Sequence, residues 1–196
     1  MQSFKSKIIL SPKYWIFFLS PMWVIFSSGC SSEDSDNPTI GSIAELEVEH
    51  FVVTSREHII ADIDYPTIPP VGGDHLSIWQ NCGIYTVPVI DEAAVHSLEH
   101  GAIWVTYRED IGIDEIVVLS DLLAGLKKIL MSPYPNQLSA VVLTAWGVRL
   151  ELDKIDTQVI NSFVQMYRDS ETAPEPGVLC DQGIGDPPAD PYAGLN

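Results

Sequence analysis

Two histidines four residues apart, His96 and His100, have the spacing in this sequence that most directly suggests chemistry. On an α-helix that interval puts both imidazoles on one face, one turn apart, where two nitrogens can reach one metal ion. At about 100° per residue, Glu92, His96, Glu99 and His100 share one side of the helix, and Ala94, Val95 and Leu98 take the other. The apolar side is expected to pack down and the His/Glu side to face outward. Five histidines make ten pairs, and chance sets one pair four apart in about one such chain in ten, so the spacing alone is weak. His75 strengthens it. It follows Gly72-Gly73-Asp74 in a rigid loop suited to a third ligand, with Asp74 able to orient the ring. Met131 would add a soft sulfur favouring copper, although core filling explains it as well. His50 and His58 sit in acidic segments that read as exposed, and they are left out of the ligand set.

His96-Ser97-Leu98-Glu99-His100 also fits H-x-x-E-H, in which two His bind zinc and the Glu activates water. That chemistry takes a third ligand, a Glu, from a downstream helix, and here Glu171 and Glu175 lie in a proline-rich tail. The sequence has no G-x-S-x-G motif and no glycine-rich phosphate loop between a strand and a helix. The leading expectation is a metal-binding domain using His75, His96 and His100. Asp74 or Glu99 would support them or add a ligand, the ion would be copper or zinc, and the role would be binding or trafficking rather than catalysis. The competing expectation is a non-metal interaction or structural module, in which the His/Glu cluster is a hydrogen-bond network fastening the proline loop to the helix. A metallohydrolase comes third.

The elements that must position these residues follow from periodicity and punctuation. Leu46–Ser55 suggests a strand, and residues 65–74 carry three prolines and two glycines and read as a rigid loop. Trp79–Val89 reads as loop plus a short strand. Asp91 is placed to cap a helix running to Glu99 or His100, and Gly101 to end it in a left-handed turn. Ala102–Tyr107 is the clearest strand. Leu119, Leu122, Leu123, Leu126 and Leu130 share a face of an expected helix over residues 114–130, before a second rigid turn at Ser132–Asn136. Leu138–Leu152 reads as two strands, or one bent at Gly147, and residues 156–168 as a helix. The expected fold is α+β, one domain over residues 41–180 with a small, mainly antiparallel sheet and about three helices, then a disordered tail over 181–196.

The beginning of the chain reads as an export signal. Lys5, Lys7 and Lys13 precede a 13-residue, mostly apolar run, Tyr14–Phe26, too short to span a bilayer. Ser27-Ser28-Gly29-Cys30 resembles a bacterial lipobox with Ser27 in place of the usual Leu. Residues 1–29 are therefore read as a lipoprotein-type signal, Cys30 as the lipidation site and residues 30–40 as a flexible acidic tether. The domain would sit on the periplasmic or extracellular side, touching the membrane through its lipid only. Cys82 and Cys180 then form a candidate disulfide. The chain has 27 acidic residues against 10 basic, three of which are the leader lysines. This balance excludes nucleic acid as a partner, because phosphate binding needs clustered Lys and Arg. The protein partner is left open.

Several motifs stand in one order. They are Tyr65-Pro66-Thr67, Pro69-Pro70-Val71-Gly72-Gly73-x-His75, Trp79-Gln80-Asn81-Cys82-Gly83-x-Tyr85 and Val95-His96-Ser97-Leu98-Glu99-His100-Gly101. Then come Ser132-Pro133-Tyr134-Pro135, Thr144-Ala145-Trp146-Gly147 and Ala173-Pro174-Glu175-Pro176-Gly177 followed by a Cys. The series resembles the bacterial domain-of-unknown-function family 3105 from about residue 62 to 180. The resemblance implies no activity. It implies that His75, His96, Glu99, His100 and Trp146 stand at motif positions and that the protein is exported or membrane-anchored. It also supports a bridge from Cys180 to Cys82.

Overall fold

The structure is a computed structural model that describes residues 3–5, 47–190 and 192. Lipidation at Cys30 and the acidic tether lie outside the described residues.

Runs of β-branched and aromatic residues build a mixed sheet. Its strands are β1 (Ser3–Lys5), β2 (Glu49–Phe51), β3 (Gly83–Ile84), β4 (Ile103–Arg108), β5 (Ile129–Tyr134), β6 (Val141–Ala145) and β7 (Val148–Leu152), in the order β1-β2-β7-β6-β4-β5-β3. β1 belongs to the stretch read as a leader and pairs antiparallel with β2 at one edge. The other six strands form the sheet of a single α+β domain. The β2–β7, β7–β6 and β6–β4 pairs are antiparallel, and β4–β5 and β5–β3 are parallel.

Three helices cover this sheet: α1 (Asp91–Glu99), α2 (Ile113–Leu123) and α3 (Thr157–Tyr167). Alternation along β4 decides which face each takes. Ile103, Val105 and Tyr107 point into a core with Leu119 and Leu123 of α2 and Ile160, Phe163 and Val164 of α3. Trp104 points the other way, into a core with Ala94, Val95 and Leu98 of α1, together with Leu130 and Trp146. α1 thus lies on the face opposite α2 and α3. Its fully buried Val95 and Leu98 each contribute about 1.5–3 kcal/mol of transfer free energy.

Local chemistry explains the helix ends. Asp156 caps α3, its carboxylate accepting from the N–H groups of Gln158 and Val159, both at 3.1 Å. The Glu115 carboxylate accepts the Gly112 N–H at the start of α2. Asp91 is the first residue of α1 rather than its cap, and its carboxylate accepts the Tyr134 hydroxyl at 2.6 Å. Gly101 follows α1 at φ +87° and donates to the Leu98 carbonyl, the left-handed stop its position suggests.

Three more expectations are corrected. The helix of residues 114–130 ends at Leu123, and Leu130 belongs to β5. Gly125, at φ +74°, breaks the chain between them, so the leucine spacing runs past the helix it describes. The turn expected at Ser132–Asn136 is strand as far as Tyr134. Pro133 is tolerated because β3 pairs only with Leu130 and Met131, leaving β5 an edge strand where Pro133 lies. The tail read as disordered from residue 181 is fastened over its first residues. Ile184 donates to the Trp79 carbonyl, and Gly183 to the side-chain oxygen of Asn81.

A Cys82–Cys180 disulfide closes this layer, joining residues 98 apart in sequence. It agrees with an extracytoplasmic domain. Among the described residues no helix is long and apolar enough to cross a membrane.

Gly101→Ala is expected to destabilise the domain by about 1–3 kcal/mol. The φ is unfavourable for any L side chain, and a Cβ there would lie 2.9 Å from the Asp169 carboxylate. Urea unfolding of both proteins measures the difference, and equal midpoints would contradict the assignment.

Candidate metal centre

α1 is not a half-exposed helix. Glu92 through Glu99 are all buried, so the His/Glu side expected to face outward is covered as well. The cover comes from two segments without regular structure. Residues 76–80 run along the helix, with Leu76 and Gln80 donating to the carbonyls of Glu92 and Ala93, and Ser97 donating back to the Gln80 carbonyl at 2.7 Å. The C-terminal segment closes the other side, where Glu175 donates to the Glu99 carbonyl. Burying this much polar side chain is costly unless each group finds a partner.

The imidazoles find theirs in the main chain. Nδ1 of His96 lies 2.7 Å from the Leu76 carbonyl, Nδ1 of His75 2.8 Å from that of Gly73, and Nδ1 of His100 3.0 Å from that of Leu179. A carbonyl only accepts, so each Nδ1 carries the proton. In the neutral ring each Nε2 is then left with a bare lone pair, the tautomer and support typical of a metal-bound histidine.

His75 and its surroundings are set by two glycines and a tryptophan. Gly72 and Gly73 have φ +143° and +132°. A Cβ on Gly72 would come within 3.2 Å of the Trp146 ring, so glycine lets the loop lie against the β6–β7 turn. Gly147 donates to the Val71 carbonyl there at 2.7 Å, and the Trp146 ring flanks the His75 ring.

His58 joins the cluster through pairing between distant segments. His58 and His75 form a parallel bridge, in which Ile59 donates to the His75 carbonyl at 2.8 Å and His75 to the Glu57 carbonyl at 3.0 Å. Asp74 reinforces it by accepting the Ser55 hydroxyl and the Glu57 N–H. These bonds hold the Asp74 carboxyl below its usual range, the Ser55 bond most. Asp74 therefore organises the site by holding the His58 segment, while the Gly73 carbonyl orients the His75 ring.

One ligand atom from each of His58, His75, His96 and Glu99 lies within 4.8 Å of the others. Glu99 Oε2 is 3.0 Å from His75 Nε2 and 3.9 Å from His58 Nε2, and Oε1 accepts from the Arg56 guanidinium at 3.0 Å. His75 Nε2 is buried and makes no hydrogen bond. Two lone pairs thus face each other at 3.0 Å, an arrangement that calls for a proton or a cation between them. Burial drives the His96 pKa down to about 4, with the Leu76 carbonyl opposing and the neighbouring histidines adding. The ring is therefore neutral, and able to ligate, at neutral pH.

Of the residues singled out from sequence, His75, His96 and Glu99 meet in this group. His100 stands one turn along, its ring centroid 4.6 Å from that of His96 and its Nε2 turned toward Glu175, outside the group of four. Met131 is fully buried in the core layer beneath α2 and α3. His58 takes the place that helical spacing gave to His100. No local pattern marked it, because its contact with His75 spans loop residues with no common periodicity.

A family model matches residues 58–182, and its description is "Protein of unknown function (DUF3105)". No curated protein and no solved structure matches the chain.

Two outcomes test this geometry. The unfolded chain binds a proton at His96 near pH 6.5, whereas the folded metal-free protein resists it down to about 4. Stability should therefore be full above pH 6.5 and decline as pH falls toward 4. Burial lowers the His100 pKa too, in the same direction. Urea midpoints of the metal-free protein across this window measure the slope, and a flat profile would contradict neutral burial of these rings. Asp74→Ala should weaken metal binding by about tenfold or more by freeing the His58 segment. Titration calorimetry would show it, and unchanged affinity would remove Asp74 from the site.

Proposed function

The chain belongs to the family of unknown function DUF3105, which supplies no activity, and from its site we propose a metal-binding domain of the cell envelope. The ligands are His58, His75, His96 and Glu99. The observation that carries this is the buried, unbonded His75 Nε2 facing a Glu99 oxygen at 3.0 Å, inside a group whose ligand atoms all lie within 4.8 Å of one another.

The donor set favours zinc(II) or copper(II). Imidazole and carboxylate suit these borderline ions, whereas copper(I) prefers sulfur. Both cysteines of the domain are joined in the disulfide, and Met131 sits in the opposite core layer. The Glu99 carboxylate offsets part of a divalent charge, and Arg56 steadies its second oxygen. The role is holding or passing on a metal ion at the membrane surface, with a lipid on Cys30 as the anchor.

A second reading rests on the same contact. If a proton rather than a metal lies between His75 and Glu99, the pair is an imidazolium–carboxylate bridge and the cluster is a structural network.

The test uses the full chain, expressed with its leader and purified under oxidising conditions. It should contain about one equivalent of zinc or copper by elemental analysis. His58→Ala removes a half-exposed ligand without hollowing the core and should lose that metal while staying folded. Free ion at about 100 times its dissociation constant should stabilise the wild type by about 2.7 kcal/mol. No metal and no stabilisation by either ion would leave the structural network as the account.

A further inference from the structure

Beside the four ligands stands a second His/carboxylate pair, His100 and Glu175. Glu175 is about half-exposed, its side chain at 47% of full accessibility, whereas His100 beneath it is at 3%. His100 Nδ1 is committed to the Leu179 carbonyl, so Nε2 carries a free lone pair, and it lies 3.9 Å from Glu175 Oε2. That gap is too long for a hydrogen bond. A nitrogen and an oxygen bound to one tetrahedral zinc ion at about 2 Å lie about 3.3 Å apart, so the half-exposed Glu175 side chain closes by about 0.6 Å to share an ion with His100.

The pair is connected to the inner site. The other Glu175 oxygen is 4.0 Å from Arg56 Nη1, the same nitrogen that sits 3.0 Å from Glu99. The His100 ring is the nearest neighbour of the His96 ring along the helix, and Trp79 packs on both. Arg56 and His58 are, like Glu175, half-exposed, whereas His75 and Glu99 are buried. Glu175, on the His100 side, and His58, on the His75 side, are therefore the two metal-binding groups that an ion from solvent meets first.

Resting on the reading of the inner cluster as a metal site, we propose that His100 and Glu175 form a transfer site for the same divalent ion. The pair takes the ion from solvent, or from a donor, and hands it to His96 and then to the full set. On release the steps run in reverse. Two ligands hold an ion only weakly, as a station on the path requires, and the inner set of four holds it as product. The reason α1 carries two histidines one turn apart is then sequential: His96 belongs to the destination and His100 to the path.

Kinetics separate a transfer site from an extra ligand. Copper(II) mixed with metal-free full-length protein should quench Trp79 and Trp146, which flank the histidines, and a chelator chase gives the dissociation rate. Glu175→Gln keeps the main-chain bond to Glu99 and should slow both association and dissociation by about tenfold, leaving the dissociation constant within about twofold. His100→Asn, whose amide can still donate to the Leu179 carbonyl, should do the same. Unchanged rates in both variants would overturn the proposal. So would slower association with unchanged dissociation, which marks simple electrostatic attraction, or faster dissociation alone, which marks a fifth ligand. Failure of the wild type to bind copper or zinc would instead overturn the inner site, and the transfer site with it.

Discussion

The site depends on one constraint, the Nδ1 proton of each buried imidazole pointing at a main-chain carbonyl. Gly73, Leu76 and Leu179 provide those carbonyls from three separate stretches of irregular chain. Each bond fixes a ring's orientation and its tautomer together, and Nε2 is left free, facing Glu99 in the case of His75 and Glu175 in the case of His100. Each such bond gains only about 0.5–1.5 kcal/mol net, but leaving the same group buried without it would cost more. The Leu76 and Leu179 carbonyls, with Arg56 for Glu99, are what permit a helix to be buried on all sides while carrying His96, Glu99 and His100.

The rest of the domain serves that arrangement. The sheet presents Trp104, Leu130 and Trp146 as the apolar floor under α1, and α2 and α3 secure the reverse face. The covering segments have little regular structure of their own, so cross-links hold them. The His58–His75 bridge and Asp74 hold the first, and the disulfide and the bonds from Gly183 and Ile184 hold the last. A site built from such segments is precise only while those fastenings persist, which suits an oxidising compartment.

Charge has a part in this account too. With 27 acidic residues against 10 basic ones, the protein attracts cations and repels polyanions. Arg56 is a counterweight at the site itself, lying between Glu99 and Glu175. It moderates carboxylates that would otherwise repel each other, while the imidazoles, neutral by burial in the case of His96, leave room for a divalent charge.

Local signals made much of this legible. The i,i+4 histidines, the stop at Gly101, the unbroken apolar strand Ala102–Tyr107 and the turn at Gly147 follow from residue type and spacing, and so does the α+β class. The leucine spacing misled past Leu123 because it continued from helix into strand across Gly125. The polar face of α1 misled because amphipathicity says which side avoids the core, not whether another segment covers it. His58 escaped notice because a bridge between residues 58 and 75 leaves no periodic trace. The sequence by itself determined the helix that carries His96 and Glu99, since a 3.6-residue period is written into neighbouring positions. Only the tertiary structure decided that His58 completes the group and His100 stands apart, because convergence depends on distances between segments that no local period encodes.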